Sequence, residues 1–206
     1  MSWLTATVYD LTLLGLEYNC LSRWRSELLG PLRGDVLELG AGTGLNLEHY
    51  PASVNSLTLI EPDAAMRRQL NGKLSKSALA ARARVCDSPA EALASKSASF
   101  DAVIVTLVLC SVQNVEQSLS EARRVLRPGG TLALIEHIAA PEKTSRRRWQ
   151  TLLEPTWSFV SGGCHLLRDP RRAIEEAGFE PVRVSECELR GVPGFIKPAF
   201  IGIYTV

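Results

Sequence analysis

One stretch decides the fold: Val36-Leu37-Glu38-Leu39-Gly40-Ala41-Gly42-Thr43-Gly44. Its apolar run is typical of a buried parallel strand, and it ends in three glycines spaced two residues apart, before sequence that is compatible with a helix. The pattern therefore predicts a strand, a tight turn and a helix. Because glycine has no Cβ, it permits positive φ angles and lets a ligand lie directly on backbone atoms. We expect a nucleotide-like cofactor to rest on this turn.

A second apolar segment, Leu57 to Ile60, also ends in a carboxylate, Glu61. Glu61 follows Gly40 by 21 positions, which is where a carboxylate can hold both hydroxyls of a ribose. A dinucleotide-binding loop would read G-x-G-x-x-G, but here the third glycine comes one residue early and Leu45 follows it. This departure weakens a nicotinamide interpretation.

The G-x-G-x-G turn, with Glu38 before it and Glu61 on the next strand, resembles the class I S-adenosylmethionine-dependent methyltransferases. That resemblance implies an α/β fold: a Rossmann-like three-layer sandwich around a seven-stranded, mostly parallel sheet that ends in an antiparallel hairpin. It also implies S-adenosylmethionine as the cofactor and S-adenosylhomocysteine as its product. Since the methyl group leaves a cationic sulfur and a neutral thioether departs, the transfer itself requires no metal.

Size, charge and cysteine content restrict the classes of protein that fit. The 206 residues are enough for one domain, 1–206, with an N-terminal helical lid at 1–30 and a substrate cover at 138–167. The 23 basic and 22 acidic residues leave a net charge of +1, which argues against a nucleic-acid partner. The five cysteines lie far apart without a C-x-x-C pair, which argues against a disulfide framework and a structural zinc site. A reducing cytoplasm is the expected location.

Apolar residues between Thr7 and Leu29 recur at helical spacing, which predicts one or two amphipathic helices. The acidic residues Asp10 and Glu17 interrupt the apolar patch, so it is predicted to be neither a signal peptide nor a membrane span. These helices either cover an edge of the sheet or, as in small methyltransferases, form a lid. In the lid interpretation, Tyr9 reaches the cofactor and Tyr18 the acceptor.

Further elements follow from periodicity and stop signals. The first helix is predicted to continue over 46–50 until Pro51 ends it. Strands are expected at 82–87, 100–112 and 131–136, with the L-R-P-G-G turn at 126–130 as a feature shared with the methyltransferases. Helices are expected at 63–76, 115–126 and 169–177, and the closing hairpin at 181–189 and 198–206.

The predicted cofactor contacts come from the glycine turn, the end of the second strand, the loop after the third strand and the exit of the fourth. Asp87 either reaches the adenine amine or caps a helix that follows it. Cys110 has no sequence neighbour that would activate it, which favours a plain buried thiol. The full set is Tyr9, Glu38, Leu39, Gly40, Ala41, Gly42, Thr43, Gly44, Asn46, Glu61, Pro62, Met66, Asp87, Ser88, Pro89, Ala90, Thr106, Leu107 and Cys110.

A narrower resemblance rests on the strings at 106–112 and 136–140 and on Gly163-Cys164, with Pro155 and Trp157 before them. They look like the small methyltransferase-like proteins whose animal members are membrane-associated alkyl thiol methyltransferases. The likeness implies S-methylation of a small thiol. This sequence lacks their hydrophobic N-terminal anchor, so no stable membrane insertion is expected, and no particular oligomeric state is predicted.

Other functions remain open at this point. Ubiquinone-biosynthesis C-methyltransferases share the broader motifs, so an O-, N- or C-methyltransferase acting on a hydrophobic or aromatic molecule, a quinol or a lipid is an alternative. A protein that binds S-adenosylmethionine without chemistry is another, because a fold does not fix a function.

Catalytic and acceptor residues are predicted at the fifth strand and in the cover. A thiol, with a free pKa near about 8.5, needs only a modest base. His137 follows the fifth strand at the crevice and titrates near neutrality, so it is either that base or a residue that orients a loop; His165 is the second candidate. The predicted acceptor contacts are Tyr18, Trp149, Trp157, Phe159 and Cys164.

Overall fold

A computed structural model describes residues 15–206 and contains one seven-stranded sheet in the order β3-β2-β1-β4-β5-β7-β6. The first five strands are parallel, and β7 runs antiparallel to both β5 and β6. This confirms the predicted sheet and its closing hairpin. The strands are β1 (Gly34–Leu39), β2 (Val54–Ile60), β3 (Ala83–Cys86), β4 (Phe100–Thr106), β5 (Leu126–His137), β6 (Glu180–Glu188) and β7 (Pro198–Thr205).

Helices cover both faces of the sheet. A π-helical turn, Glu17–Leu21, runs directly into α1, and Asp63 caps α2 by accepting the Ala65 and Met66 N–H groups. The helices are α1 (Ser22–Leu29), α2 (Ala64–Leu74), α3 (Val115–Val125), α4 (Ser145–Val160) and α5 (Arg171–Glu176). Residues 1–14, including Tyr9, lie outside the described residues, so the lid prediction is described only from residue 15 onward.

The core is divided by the sheet into two layers of side chains. Successive residues of a strand point to opposite faces, and Val36 accordingly joins a cluster with α1 and α2, whereas Leu37 joins a cluster with α3 and α5. β4 behaves in the same way, since Ile104 belongs to the first cluster and Val105 to the second. Burial on both faces explains why these strands read as continuous apolar runs. The sheet with helices on both faces forms the predicted three-layer sandwich.

The prediction of a helix directly after the glycine turn is wrong. Only a 3₁₀ turn, Leu47–His49, forms there, and Tyr50 is extended with ψ 128°. Few residues separate Gly44 from Pro51, which leaves too little chain to nucleate a helix, and a residue that precedes proline is pushed out of the helical region. The interpretation of Asp87 as a helix cap is wrong as well, because turns and bends follow it up to β4.

Two other segments differ from expectation. The L-R-P-G-G stretch lies inside β5, where the pairing with β4 shifts register between Phe100 and Ala102, and Gly129 has a φ of 75°. The stretch is thus a bulge at the start of the strand. The cover, which showed poor periodicity, contains the long helix α4; its side chains Trp149, Leu152, Phe159 and Val160 are exposed rather than buried. Apolar residues on the solvent side blur the amphipathic pattern.

Among residues 15–206, no helix combines the length and the apolar character that a membrane crossing needs.

Candidate active site

A cavity of 720 Å³ opens at the carboxyl ends of β1, β2 and β4. Ligand sites of open α/β sheets lie at such strand ends. The residues that line it come from the glycine turn, the ends of β2 and β4, the start of α2, the loops after β3 and β4, the first turn of α3 and the loop after α4. They include Gly40, Gly42, Glu61, Pro62, Asp63, Met66, Pro89, Ala90, Glu91, Thr106, Leu107, Ser111, Gln113, Asn114, Gln117, Ser161 and Gly162.

The glycine turn has the geometry that a backbone-bound ligand needs. Gly40, Gly42 and Gly44 have φ angles of 60°, 55° and 86°. A Cβ on Gly40 would lie 2.6 Å from the Val108 side chain, whereas a Cβ on Gly42 would come no closer than 4.0 Å to any atom. Gly42 therefore faces open space in the cavity, where a ligand can lie against its backbone.

Glu61 is fixed by the same turn. Its Oε2 accepts the Gly42 N–H at 2.8 Å, and its Oε1 accepts the Asp63 N–H at 2.8 Å. Burial raises the pKa of this carboxyl. A carboxylate has about four lone-pair sites, so each oxygen can accept one more hydrogen bond. That capacity suits two adjacent hydroxyls of a ribose.

Glu38 anchors a buried polar network beneath the turn. Its carboxylate accepts hydrogen bonds from Asn46 Nδ2 at 2.8 Å and from the Tyr50 hydroxyl at 2.7 Å. Arg25 donates to Asn46 Oδ1 at 2.6 Å and pairs with Glu17 at 2.8 Å. Burial raises the pKa of Glu38 to about 7.

A small pocket of 30 Å³ separates this network from the glycine turn. Its lining contains Glu38, Ala41, Thr43 and Asn46, which were predicted, and Arg25, which was not. In the sequence, Arg25 is a charged residue within a pattern typical of an amphipathic helix. Charged residues on the solvent-exposed face of such a helix look the same, so the sequence does not indicate that Arg25 lines a pocket.

The loop after β3 contributes Pro89, Ala90 and Glu91 to the cavity, but not Asp87. The Asp87 side chain is exposed and lies 3.9 Å from the Arg67 guanidinium. Ser88 Oγ is buried and has no hydrogen-bond partner among the described residues. The backbone around Pro89 therefore lies where the adenine loop was expected, whereas the Asp87 carboxylate lies outside.

The exit of β4 is held in a strained conformation by Glu136. Leu107 has a φ of 56°, which is uncommon for a residue with a side chain. Glu136 Oε1 accepts the next two N–H groups, from Val108 at 2.6 Å and Leu109 at 2.9 Å. Glu136 is fully buried, and burial raises its pKa to about 7. Its position at the end of β5 was visible in the sequence, but this contact was not.

Beyond that strained exit, the fold brings together Cys110, His137 and Cys164, which we call the Cys-His-Cys cluster. Their ligating atoms all lie within 4.8 Å of one another, and His137 Nε2 is 2.8 Å from Cys164 Sγ. Trp157 Nε1 donates to Cys164 Sγ at 3.4 Å. The cluster residues do not themselves line the large cavity, but Ser111, next to Cys110, and Gly162, two residues before Cys164, do. The cluster therefore lies beside that end of the cavity.

Contacts within the cluster shift the pKa values of all three side chains. Hydrogen bonds from Cys110 and from His137 lower the pKa of Cys164, and the hydrogen bond to Cys164 together with burial raises the pKa of Cys110. Burial lowers the pKa of His137, but the hydrogen bond to Cys164 and the charges nearby outweigh burial, so the net pKa is raised. A thiol with a lowered pKa beside an imidazole is a reactive arrangement. The interpretation of Cys110 as a plain buried thiol is right about burial but misses these contacts.

Other predicted residues lie away from both cavities. His165 pairs with Glu154 at 2.8 Å and lines neither the large cavity nor the small pocket. Three predicted acceptor residues are exposed to 92%, 56% and 88%: Tyr18, Trp149 and Phe159. Trp157 instead packs edge-on against Phe195 and reaches the cluster. Leu39 and Gly44 support the turn from below without lining the cavity.

Several lining residues were not predicted. They lie on the loop before α3, in the first turn of α3 and on the loop after α4, and they are Ser111, Gln113, Asn114, Gln117, Ser161 and Gly162. In sequence, polar residues of this kind mark loops and helix caps, and Asn114 does cap α3 by accepting the Gln117 N–H. No local pattern distinguishes such a cap from a cavity wall.

Residues 37–134 match a methyltransferase domain family. The chain is 37% identical to thiol S-methyltransferase TMT1B of Rattus norvegicus over 182 residues, covering 84% of this chain and 74% of that protein. It is 35% identical to thiol S-methyltransferase TMT1A of Homo sapiens, covering 85% of this chain and 72% of that protein. For TMT1B of Homo sapiens the identity is 37%, and the coverage is 72% of this chain and 61% of that protein.

The fold is shared with solved structures at much lower identity. A geranyl diphosphate methyltransferase in complex with S-adenosylmethionine superposes with a TM-score of 0.70 at 16% identity, covering 89% of this chain and 83% of that one. The family match, the relatives and a turn that leaves room for a backbone-bound nucleoside agree with one another. The chain therefore belongs to the class I S-adenosylmethionine-dependent methyltransferases, and S-adenosylmethionine is its cofactor.

Proposed function

We propose that this enzyme transfers the methyl group of S-adenosylmethionine to the sulfur of a small thiol. The observation that carries the proposal is the position of the Cys-His-Cys cluster beside the cavity that is built on the glycine turn. The names of the relatives, thiol S-methyltransferases, support the same acceptor atom.

Cofactor binding is assigned to the turn and its carboxylates. Glu61 receives the two ribose hydroxyls with its free lone pairs, and the backbone at Gly42 lies against the nucleoside. The adenine lies between Met66 and the Pro89–Ala90 loop, which line the same cavity. The methionine end extends past Thr106 and Leu107 toward the small pocket that contains Arg25 and Asn46. Bound in this way, the cofactor would carry its sulfonium near the exit of β4, where Thr106 and Leu107 line both the cavity and the small pocket.

The rate of methyl transfer depends mainly on the alignment of the reacting atoms. The acceptor sulfur attacks the methyl carbon while the bond to the sulfonium breaks, and fixing these three atoms in line is worth roughly 7–11 kcal/mol. The acceptor must also reach the thiolate state. We assign that step to the Cys-His-Cys cluster, within which the role of His137 as the base remains a prediction. His165, paired with Glu154, is assigned no part in the transfer.

An acceptor screen tests the proposal. Small alkyl and aryl thiols, phenols, amines and quinol analogues are incubated with S-adenosylmethionine, and the product masses and the methylated atom are recorded. We expect methyl thioethers from the thiols, together with S-adenosylhomocysteine. Methylation of oxygen, nitrogen or carbon in place of sulfur would contradict the thiol acceptor. Tight cofactor binding without any product would point to a binding protein that lacks chemistry.

The variant His137→Ala separates the acceptor step from cofactor binding. We expect turnover to fall by at least about 100-fold, the usual contribution of a proton-transfer group, while the affinity for S-adenosylmethionine measured by calorimetry stays unchanged. The matched control is His165→Ala, which removes an imidazole from the adjacent loop. Equal turnover of both variants would contradict the assignment of His137.

A further inference from the structure

We infer that the Cys-His-Cys cluster is a binding site for a thiophilic d¹⁰ cation of the Zn²⁺ type, and that the bound ion takes the acceptor thiol as its fourth ligand. The second half rests on the proposed function. The first half stands on the geometry of the cluster alone.

The donor set suits such an ion. Two thiol sulfurs and one imidazole nitrogen are the ligands that zinc prefers, and three protein ligands with an open fourth position are typical of its catalytic sites. The three donors come from separate parts of the chain: the loop after β4 supplies Cys110, the end of β5 supplies His137, and the loop after α4 supplies Cys164. The spacing argument against zinc applied to local C-x-x-C pairs and could not detect a site assembled in this way.

The dimensions of the cluster are close to those of a metal site. Bond lengths of about 2.3 Å to sulfur and about 2.0 Å to nitrogen place neighbouring tetrahedral ligands about 3.5 Å apart. All three donor atoms already lie within 4.8 Å of one another. The shortest edge, from His137 Nε2 to Cys164 Sγ, is 2.8 Å, so it must open by less than about 1 Å as the ion replaces the shared proton.

The surroundings fit the replacement of that proton by a cation. His137 is 4% exposed, and its Nδ1 atom has no hydrogen-bond partner among the described residues. When Nε2 binds an ion, Nδ1 carries the ring proton and needs an acceptor, as metal-bound histidines usually have. Trp157 donates to Cys164 and fixes that sulfur.

We place the open fourth position on the side of the large cavity, because Ser111, next to Cys110, and Gly162, two residues before Cys164, line that cavity. A thiol that binds the ion loses its proton to solvent and is held as a thiolate. Its sulfur then forms a bond to the methyl carbon while the carbon–sulfur bond of the sulfonium breaks, and that electron pair stays on S-adenosylhomocysteine. The neutral methyl thioether is a weaker ligand than the thiolate and dissociates.

Cobalt spectroscopy tests the site without any methyl transfer. The full chain is purified with a chelator and titrated with Co²⁺, and Zn²⁺ affinity is then measured by displacement. We expect one ion per chain, with sulfur-to-cobalt charge-transfer bands and the visible bands of tetrahedral cobalt. In Cys110→Ser, His137→Ala and Cys164→Ser, affinity should fall by more than about 100-fold, since even outer-shell changes cost 10–100-fold. Cys187→Ser, a half-buried cysteine of β6, is the matched control and should bind normally.

Three results would overturn the inference. They are the absence of the charge-transfer bands from the intact chain, bands that survive unchanged in Cys164→Ser, and thiol methylation that continues at full rate after complete removal of metal. Binding of S-adenosylmethionine by each variant verifies that it is folded. Normal cobalt bands in a protein that methylates no thiol would reject the proposed acceptor but not the site. Thiol methylation by the metal-free enzyme would reject a role for the ion. It would be consistent with the proposed thiol acceptor and with His137 as the base.

Discussion

At Glu61 both carboxylate oxygens already accept a backbone N–H, from Gly42 and Asp63, and each has a lone pair left for a ribose hydroxyl. We predict that Glu61→Ala weakens S-adenosylmethionine binding by about 1.5–3 kcal/mol, the usual contribution of a charged hydrogen bond. Calorimetric titration measures this change. Asp87→Ala removes a nearby exposed carboxylate that does not line the cavity, so it should bind normally. Equal affinity of the two variants would contradict the ribose assignment.

Glu38 should make stability depend on pH. Burial raises its folded-state pKa to about 7 from an ordinary value of 4.5, so the folded protein binds this proton more tightly than the unfolded chain does. The resulting stabilisation is present below pH 4.5 and is lost as the pH rises through 7. We predict that Glu38→Gln, which cannot ionise, gains about 3 kcal/mol relative to the parent between these limits.

Denaturant unfolding of both proteins at a series of pH values measures that difference. The parent carries other groups with shifted pKa values, including Glu136, and these cancel when the two proteins are compared at each pH. A free-energy difference that stays constant from pH 4.5 to 8 would show that Glu38 does not titrate in this range.

The sequence indicates a place at the candidate site for some residues but not for others. The prediction that Glu61 lies at the ligand crevice agrees with its place in the cavity lining, and it rested on a carboxylate that ends the second strand 21 positions after Gly40. Arg25 and Glu136 were missed because their roles arise from contacts with chain segments far away in sequence. Cys110 was taken as a plain buried thiol for the same reason, since its activating neighbours are distant.

Among the elements, the glycine turn can be tested with a matched pair of substitutions. Gly42 and Gly129 both have positive φ, at 55° and 75°, and a Cβ at either position would meet no atom closer than 4.0 Å. Alanine at either site should therefore cost a similar backbone strain of about 1 kcal/mol. Only at Gly42 does the added methyl group enter the cavity. We predict that Gly42→Ala weakens cofactor binding by at least 10-fold, by about 1.4 kcal/mol, and that Gly129→Ala does not.

Calorimetry with S-adenosylmethionine compares the two variants, and their thermal unfolding confirms that the strain is matched. Unchanged binding in Gly42→Ala would show that the ligand does not lie on this part of the turn.

The elements themselves were predicted with uneven success, and the reasons are physical. Strands buried on both faces were found because their apolar runs have no other interpretation in a chain of this class. The helix after the turn was not, because the constraint that prevents it, the short chain before Pro51, outweighs local propensity. In α4, exposed apolar residues such as Leu152 and Phe159 removed the pattern on which a helix prediction depends.

On the scale of the whole molecule, the sheet order places β1, β2, β4 and β5 so that their carboxyl ends meet at one edge. The resemblance to a family implied the mostly parallel sheet and its closing hairpin, whereas periodicity alone does not state which strands are neighbours. The Cys-His-Cys cluster is formed by the tertiary structure. Its three residues come from segments far apart in sequence, which meet because β4 and β5 are adjacent and the loop after α4 returns to them.

We predict one cooperative unfolding transition for the chain, because both core clusters share every central strand. A ligand at 100 times its dissociation constant adds about 2.7 kcal/mol, so S-adenosylmethionine at that excess should raise the melting temperature by about 5–10 °C. NAD at the same concentration should leave it unchanged. Two separate transitions would contradict the single domain, and stabilisation by NAD would contradict the cofactor specificity of the turn.

The most direct test of the whole account is a crystal structure of the chain with S-adenosylhomocysteine bound. The account predicts the ribose hydroxyls within hydrogen-bond distance of Glu61, the nucleoside against the Gly42 backbone, and the cofactor sulfur directed toward the Cys-His-Cys cluster. A nucleoside bound elsewhere, or one whose sulfur points away from Cys110, His137 and Cys164, would contradict it.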